Sequence, residues 1–165
     1  MQDIFFTADL HLGHKNIIKY CNRPFATVDE MNEMLIKNWN KVVKKDSKVF
    51  LLGDFGLGTA EQIKKWGNAL RGNKTLILGN HDRMSKSVYL EAGFNEVIRY
   101  PVVWADNYLL SHYPKRIEMG QLFNIYGHVH NHTDEHLPKN KGCCVSVEMT
   151  DYKPISFKQI VAKAK

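Results

Sequence analysis

The segment Leu76-Ile77-Leu78-Gly79-Asn80-His81-Asp82 limits this chain more than any other. An apolar run stops at a glycine and is followed by an amide, an imidazole and a carboxylate. A short apolar run bounded by a turn signal reads as a buried strand. The polar residues then fall on the loop at its carboxyl end, where open α/β sheets collect their ligands. The same order recurs along the chain. Ile4-Phe5-Phe6 leads into Asp9-Leu10-His11, and Val49-Phe50-Leu51-Leu52 into Gly53-Asp54. Tyr108-Leu109-Leu110-Ser111 leads into His112, and Phe123-Asn124-Ile125-Tyr126 into Gly127-His128-Val129-His130. Strand ends that each deliver a ligand-type side chain predict one polynuclear site on an α/β frame.

Between these runs the spacing is helical. Residues 14–21 form a short helix stopped near Asn22-Arg23-Pro24, because proline disfavours helix in the residue before it. Thr27 with Glu30 reads as a capping box opening a helix with an apolar stripe of Val28, Met31, Leu35, Trp39, Val42 and Val43. Thr59 with Gln62 opens another, with Ile63, Trp66 and Leu70 on its buried face and Gly72 closing it. A fourth short helix covers 85–92. From there strands alone follow, at 96–100, 102–104, 108–111, 122–126, 143–148 and 154–160, with a polar loop over 132–142. The expected pattern is βαβαβα and then an antiparallel half: two sheets packed together with helices outside, in one domain over residues 1–165.

At 165 residues with 44% hydrophobic and 24% charged side chains, the chain can bury a core without disulfides or a structural metal. Cys21, Cys143 and Cys144 form no disulfide framework and lack zinc-knuckle spacing. Cys143 and Cys144, adjacent on a strand, would point to opposite faces as small apolar fillers. The opening Met1-Gln2-Asp3 shows no basic n-region or apolar h-region and no apolar run approaches membrane-spanning length, so a soluble cytoplasmic protein without a membrane partner is expected. The net charge of +6 suits an anionic partner, nucleic acid included, but the basic residues are spread out and equally describe a solvated surface. No feature fixes an oligomeric state.

Asp9, His11, Asp54, Asn80, His112, His128 and His130 offer carboxylate, amide and imidazole donors. Mixed nitrogen and oxygen donors suit first-row divalent ions such as manganese, iron, nickel or zinc, with magnesium an alternative. They exceed the needs of one tetrahedral zinc and fit two ions held about 3.5–4 Å apart, as in two-metal hydrolytic sites. Asp-x-His and His-x-His donors converge either on a regular strand, where i and i+2 share a face, or in a loop just past it. Glycines at 53, 79 and 127 allow backbone turns that larger residues would strain.

In order, Asp9-Leu10-His11, Gly53-Asp54, Gly79-Asn80-His81-Asp82, His112 and Gly127-His128-Val129-His130 resemble the motifs of the calcineurin-like metallophosphoesterases. The opening from Asp9 to Asn16 and on to Asn22-Arg23-Pro24-Phe25 resembles the small stand-alone bacterial and phage members. The resemblance implies a four-layer α/β/β/α sandwich with a dimetal site at the strand ends. It implies Asp9, His11 and His130 on one metal, Asn80, His112 and His128 on the other, and Asp54 bridging. It also implies hydrolysis by a hydroxide held between the ions, with His81 as general acid and Asp82 orienting it. His81 could instead hydrogen-bond its own loop. His14 could face the substrate phosphate or simply begin the first helix. Arg23, Lys115 and Arg116 could bind a second phosphate or lie in solvent, and His132 and His136 lie on the polar loop. The segments from Asp82 to His112 and from His112 to Gly127 are too short for a cap. An open site and a basic surface favour a phosphodiester such as a nucleotide derivative, with a phosphomonoesterase or protein phosphatase as the alternative. A non-catalytic scaffold or nucleic-acid binder is the option from another class.

Overall fold

The computed structural model describes residues 3–115, 122–132 and 142–163. The chain opens with strand β1 (Ile4–Thr7), the one-turn helix α1 (Ile17–Tyr20) and the long helix α2 (Val28–Val42). Strand β2 (Lys48–Leu51), helix α3 (Ala60–Ala69), strand β3 (Asn73–Ile77), helix α4 (Lys86–Glu91) and strand β4 (Phe94–Ile98) complete the alternating half. Strands β5 (Val102–Trp104), β6 (Tyr108–Ser111), β7 (Phe123–Tyr126) and β8 (Gly142–Cys144) follow. A 3-10 turn at Val147–Met149, strand β9 (Ile155–Ser156) and helix α5 (Phe157–Lys163) close the described chain.

Strands β4, β3, β2 and β1 lie in that order and run parallel, and β9 adds antiparallel to the free edge of β1. The second sheet has the order β5-β6-β7-β8. Period-two alternation divides the core. Val49, Leu51 and Leu76 face Met31, Leu35, Trp39, Ile63 and Tyr89 of the outer helices. Phe6, Phe50, Leu52 and Ile77 face Leu110, Ile125 and Cys143 between the sheets. Two mixed sheets packed face to face, with helices, give the α/β sandwich expected.

Local chemistry sets the helix starts. Thr59 and Gln62 form the reciprocal capping box, and Thr27 accepts from the Glu30 amide at 3.1 Å. The Glu30 carboxylate reaches the Ala26 amide at 2.8 Å, one residue further out than a capping box requires. The third helix ends at Ala69, ahead of Gly72.

Three expectations are corrected. The second half is not antiparallel: only β5 pairs with β6 that way, while β6-β7 and β7-β8 are parallel. The chain segments linking β6 to β7 and β7 to β8 are of crossover length, about a dozen residues, rather than tight hairpins. The strand expected over 143–148 ends at Cys144 and gives way to the 3-10 turn. The strand expected over 154–160 is only Ile155–Ser156, and α5 begins at Phe157. Ser156 and Gln159 explain this: the Ser156 amide donates to Gln159 Oε1 at 3.0 Å and the Gln159 amide to Ser156 Oγ at 3.4 Å, a capping box. Most of the polar loop over 132–142, with His136, and Arg116 lie outside the described residues.

Candidate metal centre

Parallel pairing within β1-β2-β3 and within β6-β7 sends their carboxyl ends to the same edge. Asp9 and His11 follow β1, Asp54 follows β2, Asn80, His81 and Asp82 follow β3, His112 follows β6, and His128 and His130 follow β7. The two sheets are stitched there by a parallel bridge of Ala8 to Ser146, with the Ala8 amide on Val145 O at 2.9 Å. The structure thus brings together all the donors named from the sequence.

The donors converge in loops rather than along strands. Asp9, His11, Asp54, His128 and His130 all have left-handed backbones, with φ of 60°, 52°, 56°, 71° and 53°. Left-handed backbone is uncommon outside glycine, and such outliers concentrate at functional sites. Of the glycines, Gly53 takes φ +91° as expected. Gly79 and Gly127 do not adopt a left-handed backbone, and space dictates them instead. A Cβ on Gly79 would stand 2.2 Å from Asp54 Oδ1, and one on Gly127 2.6 Å from Asp9 Oδ2.

Two clusters share this edge. Asp9, His11 and His130 offer ligand atoms within 4.8 Å of one another, as do Asp54, His112 and His128. Asp54 Oδ2 lies between them, 3.3 Å from His11 Nε2 and 3.5 Å from His112 Nε2. Asn80, an exposed residue, brings Oδ1 to 2.9 Å from His112 Nε2. His112 Nδ1 lies 2.8 Å from Leu52 O and donates to it, so a neutral ring presents Nε2 as a lone pair. That lone pair faces Asn80 Oδ1 and, at 3.2 Å, His128 Nδ1. In the other cluster the buried Asp9 Oδ1 and His11 Nε2 have no hydrogen-bond partner. Acceptor facing acceptor, beside orphaned buried donors of metal-ligand type, is the environment a cation satisfies, so these residues fit divalent ions.

Asp9 Oδ2, by contrast, is fully engaged: it accepts from Ser146 Oγ at 2.6 Å and the His128 amide at 2.9 Å. His130 Nδ1 sits 3.0 Å from Glu148 Oε1 and donates to it, so a neutral ring carries its lone pair on Nε2. Ser146 and Glu148 escaped the sequence reading because the strand expected there hid the turn that carries them. Cys144 is no simple filler either. It is half-buried, with Sγ 3.1 Å from Ser146 Oγ and 3.8 Å from His130 O, while Cys143 packs between the sheets as expected.

Arg23 is placed differently from the expectation. It is buried, and it donates to Leu10 O at 2.8 Å and Asp9 O at 2.7 Å. It also pairs with Glu148 at 2.7 Å. With its donors spent on the loop beneath Asp9, the guanidinium has no reach to a substrate.

Asp82 is corrected as well. Its Oδ2 accepts from the Asp54 and Gly79 amides, both at 2.8 Å, and Oδ1 from the Phe55 amide at 2.9 Å. The carboxylate staples two ligand loops and has no hydrogen bond or ion pair with the His81 ring among the described residues. His81 is anchored through its amide, 2.9 Å from Asp54 Oδ1, and its half-buried ring lies 5.2 Å from that of His11 and 5.9 Å from that of His14. His14, with Nδ1 3.2 Å from His11 Nδ1, faces the cluster.

Burial and pairing set the charges. Burial pushes Asp9 up to about 6 against the pull of His130 and His112. Burial likewise takes His11 down to about 4, and His14 and His128 downward. Burial would raise Asp54, but its His11 and His112 neighbours outweigh it and hold it down to about 2. Burial opposes the charged form of His130 too, yet Cys21, Glu148 and Asp9 carry it up to about 10. Glu148, burial notwithstanding, is held down to about 2 by His130 and Arg23.

Residues 3–155 match the family described as calcineurin-like phosphoesterase. An uncharacterized protein of Methanocaldococcus jannaschii is 40% identical over 172 residues, covering 98% of this chain and 90% of that protein. The gene 66 protein of Mycobacterium phage L5 is 42% identical over 85 residues, 50% of this chain and 41% of the phage protein. The crystal structure of a protein of unknown function from Aquifex aeolicus superposes with a TM-score of 0.75 at 26% identity, covering 98% of this chain and 99% of that one. A Pseudomonas putida nuclease shares the fold, with a TM-score of 0.55 at 23% identity over 77% of this chain and 61% of its own. No helix among the described residues is long and apolar enough to cross a membrane. With the family matched over nearly its whole length and the donor clusters assembled at one edge, the chain belongs to the calcineurin-like phosphoesterases and is a metal-dependent phosphohydrolase.

Proposed function

We propose that this protein is a phosphodiesterase acting on nucleotide-type diesters. Asp9, His11 and His130 would hold one divalent ion, Asn80, His112 and His128 a second, and Asp54 would serve both. The observation that carries this is the single oxygen Asp54 Oδ2 lying between His11 Nε2 and His112 Nε2. The donor set suits manganese, with iron, nickel, zinc or magnesium as substitutes. When bound, such ions supply Lewis acidity for the phosphoryl oxygens and a water acidic enough to act near neutral pH.

The chain's own residues do the rest. His81 delivers a proton from its ring to the leaving oxygen, and the tie of its amide to Asp54 Oδ1 keeps the ring at the edge of the clusters. His14, against both His11 and His81, binds a phosphoryl oxygen. Glu148 fixes the His130 ring through Nδ1, and the Ser146 hydroxyl occupies Asp9 Oδ2, which would leave Oδ1 to a metal ion. From Asp82 to His112 the chain is occupied by α4, β4, β5 and β6, so no cap rises there. An open site admits a substituent on both sides of the phosphorus, which favours diesters over monoesters.

The test is hydrolysis of bis(p-nitrophenyl) phosphate and p-nitrophenyl phosphate by chelated protein reloaded with manganese, beside Asp54→Asn. Metal-dependent diester turnover, abolished in Asp54→Asn, is the expected result. Monoester-only turnover would make the protein a phosphatase. Silence on both without metal uptake would leave a non-catalytic binder.

A further inference from the structure

Beside His81 lies a groove of about 380 Å³ lined by Gly56, Leu57, Gly58, His81, Arg83 and Met84. That volume is in the range of small-molecule sites. His81, whose ring would protonate the leaving oxygen, and Arg83 both line it. The segment from Gly56 to Gly58 is drawn tight against the protein beneath it. A Cβ on Gly56 would stand 2.9 Å from Leu12 O, and one on Gly58 3.0 Å from the Trp66 ring. The glycines therefore keep this wall as bare backbone, with Leu57 and Met84 supplying apolar surface.

Arg83 is exposed, and among the described residues it makes no hydrogen bond or ion pair. The contrast with Arg23, whose donors are all committed to Asp9, Leu10 and Glu148, is instructive. An exposed arginine alone signifies little. This one shares a groove with the candidate proton donor, and its planar fork suits a phosphate. The scissile phosphate would fall to the ions the seven donors hold and to His14, so Arg83 is available for another.

We propose that this groove receives the leaving group, and that Arg83 selects leaving groups that carry a phosphate of their own. The preferred substrate class is then an oligonucleotide end or chain rather than a simple alkyl or aryl diester. The assignment rests on the phosphodiesterase reading, because in an oligonucleotide the leaving nucleoside that carries the next phosphate is joined through a diester. The apolar wall takes the sugar or base, and the guanidinium takes the next phosphate along.

The test uses the manganese-loaded full chain and three dithymidine substrates: TpT, pTpT and TpTp. In one of the two phosphorylated forms the leaving nucleoside carries the extra phosphate, whichever oxygen departs. That form is expected to exceed TpT in kcat/KM by roughly tenfold, the size of one charge-assisted contact. In Arg83→Gln the preference should fall to about one, and Arg83→Lys should retain part of it, with unchanged thermal unfolding in both. An intact preference in Arg83→Gln, or an equal slowing of all three substrates, overturns the proposal. Turnover of bis(p-nitrophenyl) phosphate with no preference among the dinucleotides overturns the groove assignment alone. No turnover of any diester removes the phosphodiesterase and the groove assignment together.

Discussion

Replacing Asp82 by Asn separates two roles that its position beside His81 confuses. The carboxylate accepts three backbone N–H groups, from Asp54, Gly79 and Phe55. An asparagine of the same shape keeps one oxygen, which can still take the Asp54 and Gly79 amides. Its NH2 then faces the Phe55 amide, donor against donor in a buried site. Losing a hydrogen bond to a charged group costs about 1.5–3 kcal/mol, and stranding the buried donor about 1–3 kcal/mol more. Burial pushes the Asp82 carboxyl up, so removing the charge returns part of that cost, and about 3 kcal/mol is the net expectation. For a domain of this size 1 kcal/mol moves the midpoint by about 2–4 °C, so Asp82→Asn should melt roughly 10 °C lower. The assay is thermal unfolding of chelated protein by circular dichroism, with His81→Ala as the comparison. His81 has no side-chain hydrogen bond to lose among the described residues, so His81→Ala should melt within about 2 °C of the parent. If Asp82→Asn unfolds like the parent yet loses turnover as His81→Ala does, the staple is wrong and the carboxylate serves His81 instead.

Arg23→Ala would leave Glu148 buried beside an empty place and strip Asp9 O and Leu10 O of a donor, a loss of about 3–5 kcal/mol; near-parent stability with a raised KM would restore Arg23 to substrate binding. His81→Ala should lower turnover of an alkyl-leaving diester by roughly a hundredfold or more, with a smaller loss on a nitrophenyl diester whose leaving group needs no proton; equal losses on both would deny His81 the acid role. Manganese at a hundred times its Kd should add about 2.7 kcal/mol per site, read as a higher melting midpoint that Asp54→Asn largely abolishes. In the chelated protein His130 is raised from 6.5 to about 10, so its contribution is complete below pH 6.5 and is lost as pH climbs to 10. The metal-free midpoint should fall across that window, and Glu148→Gln should flatten the fall.

The strand ends were legible because each apolar run and its donors are contiguous, so a local pattern carries both the strand and its cargo. The parallel order of β6, β7 and β8 was less so, since short strands look alike and only the length of their connections separates hairpin from crossover. Glu148 and Ser146 owe their places to the bridge between Ala8 and Ser146, a contact across most of the chain that no local spacing encodes. Arg23 reads from sequence as an exposed cation, and only the fold shows its guanidinium beneath the first ligand loop. Asp82 misled for the opposite reason: on a tight loop, neighbours in sequence point to different tasks.

The left-handed backbones at His11, His128 and His130 set evolution and engineering at odds with the chemistry. Such conformations cost on the order of 1 kcal/mol or more each for a residue with a Cβ, and glycine adopts them freely. Exchanging His128 for glycine would remove a donor and relax the chain in the same step, whereas at His130 the lost pairing with Glu148 offsets the relief. A lineage released from hydrolysis would therefore be drawn downhill toward sturdier, inert descendants. Selection for heat resistance alone, without a turnover screen, would erode this centre first.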